Sequence, residues 1–208
     1  MSRRRFLLIL VLALLLPGIL PTPPTGAGEL ALAESWLNDG ARPVELSRIL
    51  VVAITTDPRI RHRFEDRFVS MLRGRNSDGT TSYSLVPDLR HIEHRQAIVD
   101  TLLSEKVQGV ITVRLVPLGK ETAPAWSAAW RSDLLKPSLV RTQIEESLAQ
   151  MKPDAASYGV EVTLWSMQAG ERLWAGRTNP DSARALGKGA GDLVYDIVNE
   201  MVYKGLLK

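Results

Sequence analysis

The amino-acid sequence predicts an α/β fold: a single domain of the three-layer type, built on a mixed β-sheet. Residues Ile49 to Ile54 are apolar at every position, which is typical of a strand covered on both faces. Three strand-like segments alternate with two helix-like segments, and this order implies parallel strands joined by right-handed crossovers. An insert, a β-hairpin and a helix that begins near Gly191 complete the domain over residues 48–208.

The first βα unit has the clearest signals. Asp57 is a favourable N-cap residue, and Pro58 stands at the first helical position, where a missing N–H does no harm. Gly74 is placed to close the helix. Apolar side chains recur between these ends at helical spacing and predict the buried side: Ile60, Phe64, Phe68, Met71 and Leu72.

The second βα unit follows a turn-rich stretch. Residues 81–86 predict a short strand with Tyr83 and Leu85 on one face. Residues 110–116, which are mostly β-branched, predict the third strand. Between them lies a predicted helix over residues 92–105, whose buried side is expected to carry Ile98, Val99, Leu102 and Leu103.

Residues 117–157 interrupt this regular order. A loop of this length is unusual in a compact domain, so the segment is a candidate functional or variable insert. After it, residues 158–167 and 171–177 predict the two strands of the hairpin. We expect Trp165 and Trp174 to pair across this hairpin in the core.

Residues 1–27 predict an export signal. A basic stretch, Arg3 to Arg5, precedes the apolar run Phe6 to Leu16, which is shorter than the roughly 20 residues of a stable membrane anchor. Small residues suit cleavage after Ala27 or, less well placed, after Ala33. Sec export, twin-arginine export and an uncleaved anchor all stay open.

Residues 28–47 show no sustained period and are expected to be a linker between the signal and the domain. Within the linker, Ala31 to Leu37 is expected to form a short helix. Trp36 and Leu37 would then pack onto the domain.

The composition excludes several classes of function. The chain has no cysteine, which excludes disulfides, thiolate metal sites and lipid attachment to an N-terminal cysteine. Arg3, Arg4 and Arg5 are the only charges before Glu29, and without them the 26 Lys and Arg become 23, equal to the 23 Asp and Glu. The predicted domain is therefore formally neutral, and nucleic acid is not expected as a partner.

Arg59, Arg63 and Arg67 form a row along the first predicted helix, at positions i, i+4 and i+8. Such a row suits anionic lipid headgroups or an acidic partner. The alternative is an ordinary solvated helix face, tempered by Glu65 and Asp66, which are expected to be exposed.

Trp126 and Trp130 lie in the polar, proline-rich insert. Aromatic side chains in such a loop often anchor a protein partner. They suit equally well a role in covering the sheet, so both interpretations stay open.

The carboxyl end of the first strand carries Thr55, Thr56 and Asp57, and Asp88 is expected at the same edge. Open α/β sheets bind ligands at this edge, so these four residues are ligand candidates. Asp57 is already explained as an N-cap, and its carboxylate would repel the anions that a helix N-terminus attracts.

The sequence shows no catalytic set and no cofactor motif. His91 and His94 share a helix face, but the HExxH pattern is absent and a zinc site needs a further ligand. The glycine-rich stretch 187–191 lacks the GK[ST] ending of a phosphate loop, and no GxSxG elbow is present. We therefore expect no catalytic residue, no metal and no cofactor.

The order of the elements also carries a family resemblance. An exported N-terminus is followed by the strand Ile49 to Ile54, by Arg63-Phe64-Glu65-Asp66 on a helix, and by Ser82-Tyr83, Val110 to Arg114 and Leu173-Trp174. In this order the chain resembles small bacterial envelope proteins with a TolB amino-terminal-domain-like or CsgG-like α/β domain, among them lipoprotein activators of peptidoglycan synthases. The resemblance implies a binding or assembly module without catalysis. Many members carry a lipid-modified cysteine, which this chain lacks.

Together these signals predict an exported, non-enzymatic module that contacts another protein of the cell envelope. The module itself is expected to be periplasmic or secreted. Peripheral contact with a membrane also stays open, because the arginine row could bind anionic lipid headgroups. The alternative is a periplasmic binder or hydrolase of a nucleotide- or sugar-like molecule, using the edge from Thr55 to Asp57. The sequence specifies no oligomeric state.

Overall fold

The computed structural model confirms the α/β fold class, and it describes residues 32–38, 46–104, 106–117, 144, 148, 158–178 and 190–207. The strands are β1 (Leu32–Leu37), β2 (Arg48–Ile54), β3 (Asp78–Thr81), β4 (Gly109–Pro117), β5 (Tyr158–Ser166) and β6 (Glu171–Thr178). The helices described in full are α1 (Pro58–Arg73), α2 (Ile92–Ser104) and α3 (Ala190–Tyr203), and a 3₁₀ turn spans Ser82–Ser84.

The strands form one open mixed sheet in the order β1-β6-β5-β4-β2-β3. β2 lies between β3 and β4 and is parallel to both, as the alternation of strands and helices predicts. β5 pairs antiparallel with β4 and β6, and β6 pairs antiparallel with β1. The sheet therefore joins a parallel half to an antiparallel half along the β4–β5 pair.

Helices cover both faces of this sheet, which is the predicted three-layer arrangement. On one face, α1 and α3 pack against alternate residues of β2, β4 and β5. This core cluster includes Ile49, Val51, Ile111 and Val162 from the strands and Phe64, Phe68, Ile197 and Met201 from the helices. On the other face, the intervening residues of β2 pack with α2 and Ile144, in a cluster that includes Leu50, Val52, Ile54, Ile98 and Leu102. Because β2 is buried on both faces, every position from Ile49 to Ile54 is apolar.

The later predicted elements agree with the structure to within one residue. This holds for α2, for β4, for both strands of the hairpin and for the start of α3. Clear periodicity and strong turn signals bound each of these segments. Leu103 is an error in detail, because its side chain is 66% exposed while Ile98, Val99 and Leu102 are buried.

The segment expected to be a short helix, Ala31 to Leu37, is instead the edge strand β1 from Leu32 onward. It pairs with β6 from Leu32 opposite Thr178 to Leu37 opposite Trp174. β6 would otherwise leave a row of main-chain donors and acceptors unpaired, and this partner decides the conformation of β1. Leu37 packs against the core as expected, whereas Trp36 is exposed.

The predicted strand 81–86 is also wrong, because β3 occupies Asp78–Thr81 and ends where that strand was expected to begin. The chain turns at Thr81 into the 3₁₀ turn Ser82–Ser84. There the Ser82 hydroxyl and the Tyr83 N–H donate to the carboxylate of Glu65. A tertiary contact therefore ends the strand.

Trp165 and Trp174 are both buried, but they do not pair across the hairpin. A bulge shifts the register, so that Trp174 lies opposite Leu164 while Trp165 lies opposite Arg172. The two indoles consequently point to opposite faces. Trp174 joins the core under α1 and α3, and Trp165 joins the core under α2.

The end of α1 differs in one local feature from the prediction. Gly74 closes the helix with a φ of −64°, an ordinary right-handed conformation that needs no glycine. The left-handed residue of this turn is Asn76, with a φ of 58°. Asparagine tolerates that region better than most residues that carry a Cβ.

We predict that Gly176→Ala destabilises the domain by about 1–3 kcal/mol, because it overpacks the core. A Cβ at Gly176 would lie 2.3 Å from the ring of Trp174 and 2.7 Å from Leu32. Urea denaturation measures the change in the free energy of unfolding. The matched control is Gly191→Ala near the start of α3, where a Cβ meets nothing closer than 3.7 Å. There, alanine is expected to be neutral or to stabilise the helix by up to about 1 kcal/mol, and equal effects at both positions would contradict the packing argument.

Candidate functional site

The ligand candidates at the end of β2 are engaged by the protein's own main chain. The buried Thr55 hydroxyl accepts a hydrogen bond from the Asp57 N–H at 3.2 Å. Asp57 caps α1 as predicted, since its Oδ1 accepts from the N–H groups of Arg59 at 2.8 Å and Ile60 at 3.4 Å. Thr56 is exposed beside them. The hydroxyl of Thr55 and the carboxylate of Asp57 are therefore used to shape the turn into α1.

Asp88 is engaged in the same way. Its carboxylate accepts from the N–H, Nε and Nη2 of Arg90 at 2.9, 3.0 and 2.6 Å. These hydrogen bonds from Arg90 hold the pKa of the Asp88 carboxyl well below its usual range, because they favour the charged form. His91 also lies near, with its Nε2 at 3.7 Å from Oδ2 of Asp88. Asp88 is thus a local ion-pair partner in an exposed turn.

Beneath this edge lies a buried ion pair that the sequence analysis missed. Arg61 and Glu65 are 3% and 0% exposed, and Nε of Arg61 donates to Oε1 of Glu65 at 3.0 Å. The remaining guanidinium nitrogens donate to the Pro87 carbonyl at 3.1 Å and to the Ser82 hydroxyl at 2.8 Å. The i, i+4 spacing of Arg61 and Glu65 was the available signal, but Glu65 was expected to be exposed, which is wrong.

Glu65 also replaces a missing strand contact. Its Oε1 accepts from the Ala53 N–H at 3.0 Å and from the Ser82 hydroxyl at 2.8 Å, and its Oε2 accepts from the Tyr83 N–H at 3.0 Å. The pairing of β2 with β3 ends at Val51 opposite Thr81, so the Ala53 N–H has no strand partner on that side. The carboxylate supplies the acceptor that a longer β3 would have provided.

The predicted arginine row lies on the outside of α1. Arg59, Arg63 and Arg67 are all exposed, on the side of the helix opposite the buried Phe64, Phe68 and Leu72. Of the two acidic residues expected beside the row, Asp66 is exposed on the helix surface and Glu65 is not. Glu65 is buried, and Asp66 accepts a hydrogen bond from the Tyr83 hydroxyl on the flank next to the 3₁₀ turn.

That flank is a small, separate cluster. The hydrogen bond to Asp66 raises the pKa of the Tyr83 hydroxyl, because the neutral phenol donates to a carboxylate. The ring of Tyr83 also lies against the imidazole of His62, with 4.1 Å between the ring centroids. Tyr83 therefore contacts both Asp66 and His62 and links the 3₁₀ turn to the surface of α1.

A second charged arrangement crosses the antiparallel half of the sheet. Arg114, Glu161, Arg177 and Glu34 are successive register partners on β4, β5, β6 and β1. Arg114 binds Glu161 through two hydrogen bonds, from Nε at 2.8 Å and from Nη2 at 3.0 Å. Charges that alternate between neighbouring strands stabilise this register over a one-residue slip.

The remaining candidate residues are the two tryptophans of the insert and the histidines. Trp126 and Trp130 lie outside the described residues, so their role stays a prediction. His62 and His91 are exposed. Within the part of the chain that the structure describes, no group of three or more His, Asp or Glu side chains is arranged to hold a metal ion.

Comparison with known proteins establishes no family for this chain. No protein-family model matches the chain, and no curated protein matches it. A variant PelC dodecamer from Paraburkholderia phytofirmans matches with 14% identity and a TM-score of 0.41, over 84% of this chain and 99% of that chain. Another PelC dodecamer from the same organism matches with 14% identity and a TM-score of 0.38, over 79% and 94%. Scores at this level establish neither a family nor a function for this chain.

We predict that Glu65→Ala lowers the free energy of unfolding by about 3–5 kcal/mol, because it leaves the buried Arg61 unpaired. Urea denaturation followed by circular dichroism measures the loss. The matched control is Asp66→Asn, the next residue along, which weakens one exposed hydrogen bond and is expected to cost less than about 1 kcal/mol. A loss at Glu65 no larger than that of the control would contradict the assigned role.

A double variant separates the two tasks of Glu65. Replacing a simple buried ion pair by apolar residues is often neutral, so Arg61→Met with Glu65→Leu would then restore stability. Here the double variant is expected to stay destabilised by about 2–6 kcal/mol, because the N–H groups of Ala53 and Tyr83 lose their acceptor, at about 1–3 kcal/mol each.

Proposed function

We propose that this chain is an exported, non-enzymatic binding module of the bacterial cell envelope that contacts another envelope protein. One observation carries the proposal: the polar side chains at the ligand-binding edge of the sheet hold the protein's own turns, whereas the arginine row on α1 faces outward. A surface of this kind suits a partner protein better than it suits catalysis on a small molecule.

The small-molecule alternative loses support at the same edge. A ligand that bound Oδ1 of Asp57 would compete with the main-chain hydrogen bonds that start α1, and the Thr55 hydroxyl already accepts from the Asp57 N–H. Asp88 would likewise have to leave Arg90. The partner-binding function is the one we retain, because the arginine row faces outward.

Two surfaces are proposed to make the contacts. The first is the row Arg59, Arg63 and Arg67, whose charges suit acidic groups on a protein. The second is the insert, where Trp126 and Trp130 are proposed as aromatic anchors. The resemblance to TolB-like and CsgG-like envelope domains supports a binding role as an analogy of element order.

Export is proposed from the N-terminal signal. Its basic stretch and the apolar run Phe6 to Leu16 have the pattern of a secretory signal peptide. Within the described residues, no helix has the length and the apolar character needed to cross a membrane. The position of β1 bears on the cleavage site. Cleavage after Ala33 would remove Leu32, which pairs with Thr178 and packs against the core.

We predict that the mature chain begins at Gly28, because cleavage after Ala27 leaves the whole of β1 intact. N-terminal sequencing of the protein from a periplasmic or envelope fraction checks this. The control is Ala27→Arg, which removes the small residue at this site and is expected to block or displace processing. A mature N-terminus at Glu34, or an unprocessed chain in the cytoplasm, would refute the prediction.

We further predict that affinity purification of the tagged full chain from envelope extract captures an envelope protein through the insert. Trp126→Ala with Trp130→Ala is expected to weaken the contact by about 2 kcal/mol or more, which is about 30-fold in affinity. Quantitative mass spectrometry of the captured proteins measures the loss. Trp36→Ala is the matched control, since Trp36 is an exposed tryptophan on β1 outside the insert.

Equal capture by the wild type and the insert variant would show that the two tryptophans are not anchors. If no envelope protein is enriched over a tag-only control, the partner-binding function itself is wrong. A ligand that raises the melting temperature of the wild type but not of Thr56→Val would instead support the small-molecule alternative.

A further inference from the structure

The outer side of α3 carries exposed aromatic and acidic side chains. Tyr195 and Tyr203 are 51% and 86% exposed. Asp192 and Asp196 are exposed as well, and they lie four residues apart, which is about 6 Å along a helix. Tyrosine is favoured at protein interfaces because its ring adds contact area at a low entropic cost. The acidic positions repeat with the same spacing as the arginines of α1.

The two helices lie side by side on one face of the sheet and run in the same direction. Nε of Arg67 lies 3.7 Å from the position that a Cβ on Gly191 would take. Eight residues further along each segment, Arg75 donates a hydrogen bond to Asn199. This face therefore has a basic half on α1 and an acidic, tyrosine-bearing half on α3, and the two halves are parallel.

We propose that the partner of the arginine row is a second copy of this chain, docked on the same face so that α1 of each copy lies against α3 of the other. The inference rests on the part of the proposed function that makes the arginine row a protein-contact surface. A two-fold axis parallel to both helices produces this arrangement, and every contact then occurs twice. In this arrangement the insert, and not the arginine row, contacts the proposed envelope partner.

The geometry determines which residues meet. Rotation about an axis parallel to the helices keeps each residue at its own level along that axis. Since Arg67 is level with Gly191 in its own chain, it faces Asp192 of the second copy, with Asp196 one turn further along. Tyr195 stands between these two carboxylates and covers the contact with its ring.

Other occupants fit this face less well. An anionic membrane would attract the arginines but repel Asp192 and Asp196 on the same face. Turning the second copy about an axis across the helices would place the arginine row against itself, and like charges at an interface oppose binding. A second copy in the proposed orientation brings Arg67, at one end of the arginine row, against Asp192, so that opposite charges meet.

Charge reversal with rescue tests the proposal on protein purified from cells that express the full chain. Sedimentation equilibrium is expected to show a dimer at low salt that dissociates as salt is raised, because the exposed pairs are screened. Arg67→Glu and Asp192→Arg are each expected to weaken the dimer about tenfold or more. The combined variant restores opposite charges and is expected to recover most of the affinity.

Lys106→Glu is the matched control, since it reverses an exposed charge in the loop between α2 and β4, away from α1 and α3. It is expected to leave the dimer unchanged. A monomer at low salt and about 100 μM protein would overturn the proposal. A dimer insensitive to both single reversals, or a double variant without rescue, would overturn it as well. Binding to anionic vesicles by a monomeric wild type would assign the row to a membrane instead.

The two proposals fail separately. Self-association is measured on purified protein and through Arg67 and Asp192, whereas envelope capture is measured in extract and through Trp126 and Trp130. A monomer that still captures an envelope protein overturns only the dimer. A dimer that captures nothing overturns only the envelope partner.

Discussion

The parallel half of this fold depends on one buried carboxylate, that of Glu65. It accepts hydrogen bonds from the Ala53 N–H of β2, the Tyr83 N–H and the Ser82 hydroxyl, and it pairs with Arg61. The need for it arises because β3 ends at Thr81, which would leave a buried main-chain donor without a partner at a cost of about 1–3 kcal/mol. The short β3, the 3₁₀ turn and the placement of α1 are therefore linked through this one carboxylate.

The same constraint explains why the usual ligand edge offers so little chemistry. Arg61 reaches from the Glu65 network to the Pro87 carbonyl, and this contact fixes the loop that follows the 3₁₀ turn. Thr55 and Asp57 hold the turn into α1 on the other side. An α/β sheet commonly leaves a crevice here because its loops diverge. In this chain those loops are tied to the first turns of α1.

The antiparallel half is organised by a different interaction. Alternating charges from Arg114 to Glu34 occupy matching register positions on four strands, and two hydrogen bonds join Arg114 of β4 to Glu161 of β5. The antiparallel pairing with β6 ties β1 to the domain, although a segment outside the described residues connects β1 to β2. α3 packs over this half and α1 over the parallel half. The β4–β5 pair, where the two halves of the sheet meet, therefore lies beneath the boundary between the basic helix α1 and the acidic helix α3.

The sequence by itself determined the α/β class, the buried strand β2, the capped start of α1, the hairpin and α3, because each has a strong local signal of period or capping. It also located the exposed arginine row, since charged residues at helical spacing on an amphipathic helix face solvent. Only the tertiary structure decided β1, the early end of β3, the burial of Glu65 and the opposite faces taken by Trp165 and Trp174. Each of these depends on a partner distant in the chain: the open edge of β6, an unpaired N–H on β2, or a bulge that changes the register. Such partners leave no local pattern, because the residues that satisfy one another are brought together only by folding.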